Sequence, residues 1–321
     1  MRIAKAGWIG IVGSVVLGLT LFSCRPKPSS TIVADPALMP LVPSDTKILV
    51  GVRVTELKKT DLYQRLMKEG KLPQVELFKQ ETGIDLKKDI WEVVTAFNGQ
   101  QSVTFVRGKF TEGGVTDSGM EPTLDKKGIK RSGYRGYTFQ GDDRVVVTFL
   151  NSSVAVAGSI PAVQSVIDAR DGGKGKPPES LLNRIKQISS ENQIWAVSDT
   201  DWEGTIPEDI DGPLGMLKQI PVKLKNTAAM LNLSNGIKLT GELIAEDTAS
   251  SQKLSLALQG MLGIGRMMIP QDEPELNQLY ESLQISSEKE MIRIQADIPE
   301  KVFEDFLEEH RILRLAPVTP Q

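Results

Sequence analysis

The chain has one cysteine, Cys24, and one histidine, His310, in 321 residues. A single thiol excludes an internal disulfide and any site built from several cysteines, so stability must come from an ordinary core. One imidazole excludes a multi-histidine metal centre. Aromatic residues make up 5%, few for a surface that stacks on sugars or peptides. Neither sign of charge dominates, with a formal net charge of −3, which argues against broad nucleic-acid binding. No Gly-x-Ser-x-Gly elbow accompanies His310, and its place beside Glu308 and Glu309 at a helix end suits a dipole contact better than catalysis. What remains is 40% hydrophobic and 25% charged, the composition of a globular body.

The first residues have a different character. Arg2 and Lys5 precede an uncharged run from Ala6 to Ser23 that is rich in Ile, Val, Leu and Gly. A charged start followed by an apolar stretch is an export signal. It ends Leu21-Phe22-Ser23-Cys24. Leu three residues before a cysteine, with a small residue just before it, resembles the lipobox of bacterial lipoproteins. Phe22 is bulkier than the usual residue there, and the resemblance covers residues 1–24 only. It implies a signal peptide over residues 1–23, cleavage after Ser23, a lipid on Cys24, and a mature chain at the cell envelope outside the cytoplasm. Two or three acyl chains hold a protein to a membrane where one does so only reversibly. The alternative is an uncleaved helix, since about 18 apolar residues are near the minimum that spans a bilayer. Both place the positive residues inside and the body outside. Which membrane carries the body stays open; Arg25 follows Cys24 where enteric-type sorting would use Asp for inner-membrane retention.

Residues 24–44 hold Cys24 and five prolines, Pro26, Pro28, Pro36, Pro40 and Pro43, and read as a stalk of about 3.1 Å per residue where extended. The body reads as α+β, in two units over 45–172 and 179–312. The stretch Asp171 to Pro178, rich in Gly, Lys and Pro, separates them. Strands are expected at 47–54, 91–97, 102–106, 136–140, 143–150 and 153–157, with helices from Thr60 and from Ile160. The second half expects a short helix at 181–188, strands at 193–197, 226–233, 237–245 and 290–296, and helices at 249–262, 274–283 and 300–309. Residues 111–128 read as loop or weak helix.

Asn98-Gly99 and Asn235-Gly236 each sit between two strand-like runs, the hairpin signal. Ser159-Ile160-Pro161 and Asp297-Ile298-Pro299 each read as a helix cap followed by proline. The first pair of landmarks is 137 residues apart (98 to 235) and the second 138 (159 to 297), which suggests an internal duplication. Each unit is then expected to be an antiparallel sheet with helices packed on one face. In this the body resembles duplicated exported proteins of bacteria, a resemblance that implies no activity.

Few residues point to chemistry. Asp199-Thr200-Asp201-Trp202-Glu203-Gly204 resembles the start of a calcium loop, making Asp199, Asp201 and Glu203 the weak candidates for metal ligands. The loop departs at Glu203, and at Ile210, where a bidentate Glu belongs. The plainer reading is a solvated acidic loop, and no metal or other cofactor is expected. Lys126 to Arg135 carries five positive charges, suited either to anionic headgroups or to a charged hairpin that resists edge pairing. Gly260 to Ile269 is apolar, glycine-spaced and Met-rich; it lacks the strand before it that a dinucleotide loop needs, and reads as core or as an adaptable contact surface.

The expectation is a membrane-anchored, non-enzymatic binding or assembly protein with a protein partner in the cell envelope. Two alternatives stand beside it: a carrier of lipid or a small apolar ligand, which needs an apolar cavity, and a hydrolase, which needs close, buried carboxylates in a cleft.

Overall fold

A computed structural model describes residues 33–70, 72, 85–110, 130–141, 144–172, 175–200, 223–269 and 274–309. Helix and antiparallel sheet are both extensive, as the α+β reading expects. The chain divides into two compact units, one holding residues 33–182 and the other 183–309 among those described.

Among the described residues, the strands of the first unit are β1 (Ile48–Val52), β2 (Ile90–Phe97), β3 (Ser102–Gly108), β4 (Lys130–Tyr134), β5 (Tyr137–Gly141), β6 (Val146–Asn151) and β7 (Val154–Gly158). Their order across the sheet is β1-β2-β3-β7-β6-β5-β4. β-Branched residues dominate β1, β2, β3 and β7, and alternation decides what each buries. Val94, Phe105, Val156 and Thr148 are successive cross-strand partners on one face, and all four are fully buried. Between β1 and β2 lie helices α1 (Val54–Leu57) and α2 (Asp61–Lys68), the latter capped by the Thr60 hydroxyl, which accepts from Tyr63 N–H. Helix α3 (Ile160–Asp171) is capped by Ser159 with Pro161 in its first turn, and buries Ala162, Val163, Val166 and Ile167.

Residues 33–42 correct one expectation. They lie within the span read as a stalk, yet Val33, Ala34, Leu38, Met39, Leu41 and Val42 are buried. The prolines there mark turns, not exposure: Met39–Leu41 is a 3-10 turn with Pro40 inside it. Gly175 passes so close that a Cβ on it would stand 1.9 Å from the Pro40 carbonyl oxygen.

The second unit contains β8 (Ile194–Ser198), β9 (Leu224–Asn232), β10 (Ile237–Ala245), β11 (Gln284–Glu288) and β12 (Met291–Ile298), ordered β8-β9-β10-β12-β11. Helix α4 (Glu179–Ile185) comes before β8, α5 (Thr248–Met268) and α6 (Pro274–Ser282) follow β10, and α7 (Glu300–Glu309) follows β12. One sheet face carries Leu243, Ile292, Ile294 and Ala296, and packs with Leu254 of α5 and Leu283. Helices were expected on one face only. Arg184, at the end of α4, instead bonds Glu242, whose side chain alternates with Leu243 and so stands on the other face.

Both Asn-Gly pairs fall in hairpin turns, with Gly99 at φ +98° and Gly236 at φ +82°, the left-handed region that glycine permits. The cap expected at Asp297 is not formed. Asp297 and Ile298 remain in β12, and the first helical bond of α7 runs from Phe303 N–H to the Pro299 carbonyl.

Candidate functional site

Helix α5 begins where the Asp247 carboxylate accepts from Ser250 N–H at 2.6 Å, a bond that holds its carboxyl below the usual range. One side faces the sheet, where buried Leu254 and half-buried Leu258, Met261 and Leu262 meet the apolar cluster. Gly265 permits α6 to approach; a Cβ there would stand 2.6 Å from the Tyr280 ring. Ser251 donates to the Lys289 carbonyl. Arg266 Nη2 donates to the Tyr280 carbonyl at 2.8 Å and to that of Leu283 at 3.3 Å, tying α5 to the end of α6.

The opposite side is apolar as well. Leu256 is 68% exposed, Met267 80% and Ile264 40%. At 3.6 residues per turn, Leu256, Gly260, Gly263 and Met267 fall within about 60° of arc, and Ile264 lies about 40° beyond it. Added Cβ atoms on Gly260 and Gly263 would meet nothing within 4 Å. A 21-residue helix therefore has two apolar sides, one packed and one open.

The first unit carries a cleft of about 330 Å³, lined by Ala37, Leu41, Arg107, Leu150, Asn151, Ser153, Val154 and Arg170. Sheet register builds it: Glu92, Arg107, Val154 and Asn151 are successive cross-strand partners. The Asp35 carboxylate accepts from Arg107 Nε at 3.1 Å. Both oxygens of Glu92 accept from Asp35 N–H at 3.1 Å. Burial pushes the Glu92 carboxyl up to about 7; the Asp35 N–H opposes the rise and the Asp35 charge adds to it. These two carboxylates are close, yet neither lines the cleft.

The fold itself has solved counterparts. Crystal form I of TP0453 matches 86% of this chain and 98% of its own, at a TM-score of 0.52 and 11% identity. Crystal form III matches the same shares at 0.53, also with 11% identity. The likeness is one of fold. No family model matches the sequence, and no curated protein does.

Cys24, His310, Asp201 and Glu203 lie outside the described residues. Asp199 follows β8, beside Ser198 and Thr200, whose hydroxyls are 2.7 Å apart. No cluster of metal-ligating side chains occurs among the described residues. Of the basic stretch, Lys126 to Ile129 are not described. Arg131 to Arg135 form most of β4 and the turn after it, at one end of the sheet order. Arg135 Nε pairs with Asp168 at 2.8 Å, and Tyr134 donates to the same carboxylate. The Met-rich segment is the last part of α5, with Met261 packed and Met267 exposed. No helix among the described residues is long and apolar enough to cross a membrane.

Sequence reasoning missed Glu92, Arg107 and Arg170. A signal for two of them existed: Glu92 stands two and four residues before Val94 and Ala96, and Arg107 the same distances after Phe105 and Val103, so each shares the inward face of its strand.

Proposed function

We propose that this chain is an exported, non-enzymatic lipoprotein of the cell envelope, held to a membrane by lipid on Cys24, that binds a protein partner through the outward face of α5. The observation that carries the reading is the exposed row of Leu256, Ile264 and Met267. Water contact there is unfavourable by about 25 cal/mol per Å² of apolar surface, which a partner would remove. Gly260 and Gly263 leave room for a partner's backbone, and methionine adapts to irregular surfaces. A bilayer surface is a poorer fit. A helix lying on lipid takes a Lys/Arg-rich polar side and often aromatic anchors; α5 has no aromatic residue, its bases are Lys253 and Arg266, and Arg266 is spent on α6.

The internal duplication belongs to the same reading. Strand orders β1-β2-β3-β7-β6 and β8-β9-β10-β12-β11 follow one scheme, with an Asn-Gly turn at each β2–β3 or β9–β10 hairpin. The differing caps of α3 and α7 weaken one of the two landmarks behind it. The alternatives find less support. The cleft is lined by two arginines, unlike an apolar carrier cavity. Asp35 and Glu92 are engaged with Arg107 and with backbone N–H groups, so this pair is not free to act on a substrate.

A photocrosslinker placed at Met267 or Leu256 in living cells should yield one protein adduct, absent with the probe at exposed Lys238. The partner so identified should bind the purified chain, and Met267→Glu should weaken that binding at least about tenfold. Adducts with lipid alone, or equal labelling from Lys238, would sink the reading. The anchor is tested separately by the mass of the mature N-terminus, where an unmodified Cys24 or an intact Met1 refutes it.

A further inference from the structure

We propose that the cleft of the first unit is a binding site for one oxyanion group, a carboxylate or phosphate, of a small ligand. Two guanidiniums line it, and each is already held in place. Arg107 donates to Asp35 and to the Ser153 carbonyl at 3.0 Å, and its guanidinium lies 5.3 Å from the Trp91 ring centre. Arg170 Nη1 donates to the Tyr137 hydroxyl at 3.0 Å and the Leu150 carbonyl at 3.1 Å, with that tyrosine ring 5.9 Å away. These contacts leave Nη2 of both arginines without a partner among the described residues.

Asp35 neutralises Arg107, whereas no carboxylate among the described residues pairs with Arg170. The cleft is therefore locally positive on a chain whose net charge is −3. Asn151 Oδ1 is taken up by the Ser153 N–H and hydroxyl, leaving its amide N–H groups as the side chain's remaining polar contribution. A site that offers donors and a fixed positive charge selects an oxyanion, because the planar guanidinium fork matches two oxygens of carboxylate or phosphate. Ala37, Leu41 and Val154 add apolar wall for a short carbon skeleton. About 330 Å³ lies at the lower end of the range for small-molecule sites.

The experiment follows the arginine Nε–H signals of the full mature chain by NMR at low salt. Three probes are added separately: inorganic phosphate, succinate, and a soluble short-chain phosphatidic acid. Saturable shifts at both Arg107 and Arg170 are expected with at least one probe. A response to phosphate or succinate assigns the site to a free anion, and one to phosphatidic acid alone assigns it to a lipid headgroup. Arg170→Met should weaken binding by about tenfold, the loss of a charged hydrogen bond. Arg170→Lys, which keeps the charge but loses the fork, should fall between, and it carries the test if the methionine variant does not fold. No saturable shift with any probe, or undiminished affinity in these variants, overturns the proposal.

Discussion

Glu92 shows how one side chain can serve packing at the expense of its own ionisation. Its carboxyl is pushed from an ordinary 4.5 to about 7 by burial. Between those values the folded protein retains a proton that the unfolded chain has released, so stability falls as pH rises through this window and then levels off. The full loss is on the order of 3 kcal/mol. Glu92→Gln keeps an acceptor for Asp35 N–H and should melt at nearly constant temperature between pH 5 and 8, while the parent chain loses stability; parallel melting curves would refute this. Glu242 has the opposite balance. Burial opposes its charge, but Arg184 at 2.5 Å and Arg293 at 2.7 Å outweigh that and hold its carboxyl low. Glu242→Ala should cost about 3–5 kcal/mol, because it strands the buried Arg184 without its counter-charge. Chemical denaturation measures the loss, and a change below about 1 kcal/mol would assign the pair to the weak surface class.

At the scale of the element, glycines of one helix should respond in opposite directions. Gly265→Ala presses on Tyr280 and should destabilise by about 1–3 kcal/mol. Gly260→Ala, with open space around it, should stabilise by up to about 1 kcal/mol through helix propensity alone. Equal effects in thermal melts would contradict the described sides of α5. The same scale explains what the sequence disclosed. Strands such as β2, β7, β9 and β10 were legible because β-branched and apolar residues mark them within a residue or two of their bounds. β4 and β11 were not, since Lys130-Arg131-Ser132-Gly133-Tyr134 and Gln284-Ile285-Ser286-Ser287-Glu288 lie at the ends of the strand orders and lack an apolar face. Residues 33–42 were misread because proline density speaks of backbone and not of burial. The cleft stayed hidden for a different reason: Arg107 and Arg170 come to line one cleft only once β3, β7 and α3 are assembled, and no spacing along the chain encodes that. The open side of α5 was half legible, as an apolar Met-rich run that fitted both core and contact surface.

For the whole molecule, the segment after the proposed anchor is part of the first unit's core. A chain beginning at residue 45 loses six buried apolar side chains, of which the five larger than alanine each contribute roughly 1.5–3 kcal/mol. That sum rivals the roughly 5–15 kcal/mol that holds a domain together. Such a truncation should leave the first unit unfolded by near-ultraviolet circular dichroism, while a native spectrum would show the segment to be dispensable. The tie at Asp35 also has a consequence in time. Its partners Glu92 and Arg107 lie 57 and 72 residues further along, and Gly175, which presses on Pro40, is later still. A chain emerging N-terminus first therefore presents residues 33–42 long before anything exists to receive them. That segment must wait until most of the first unit has followed it, and closing so long a loop makes its docking a late step in folding.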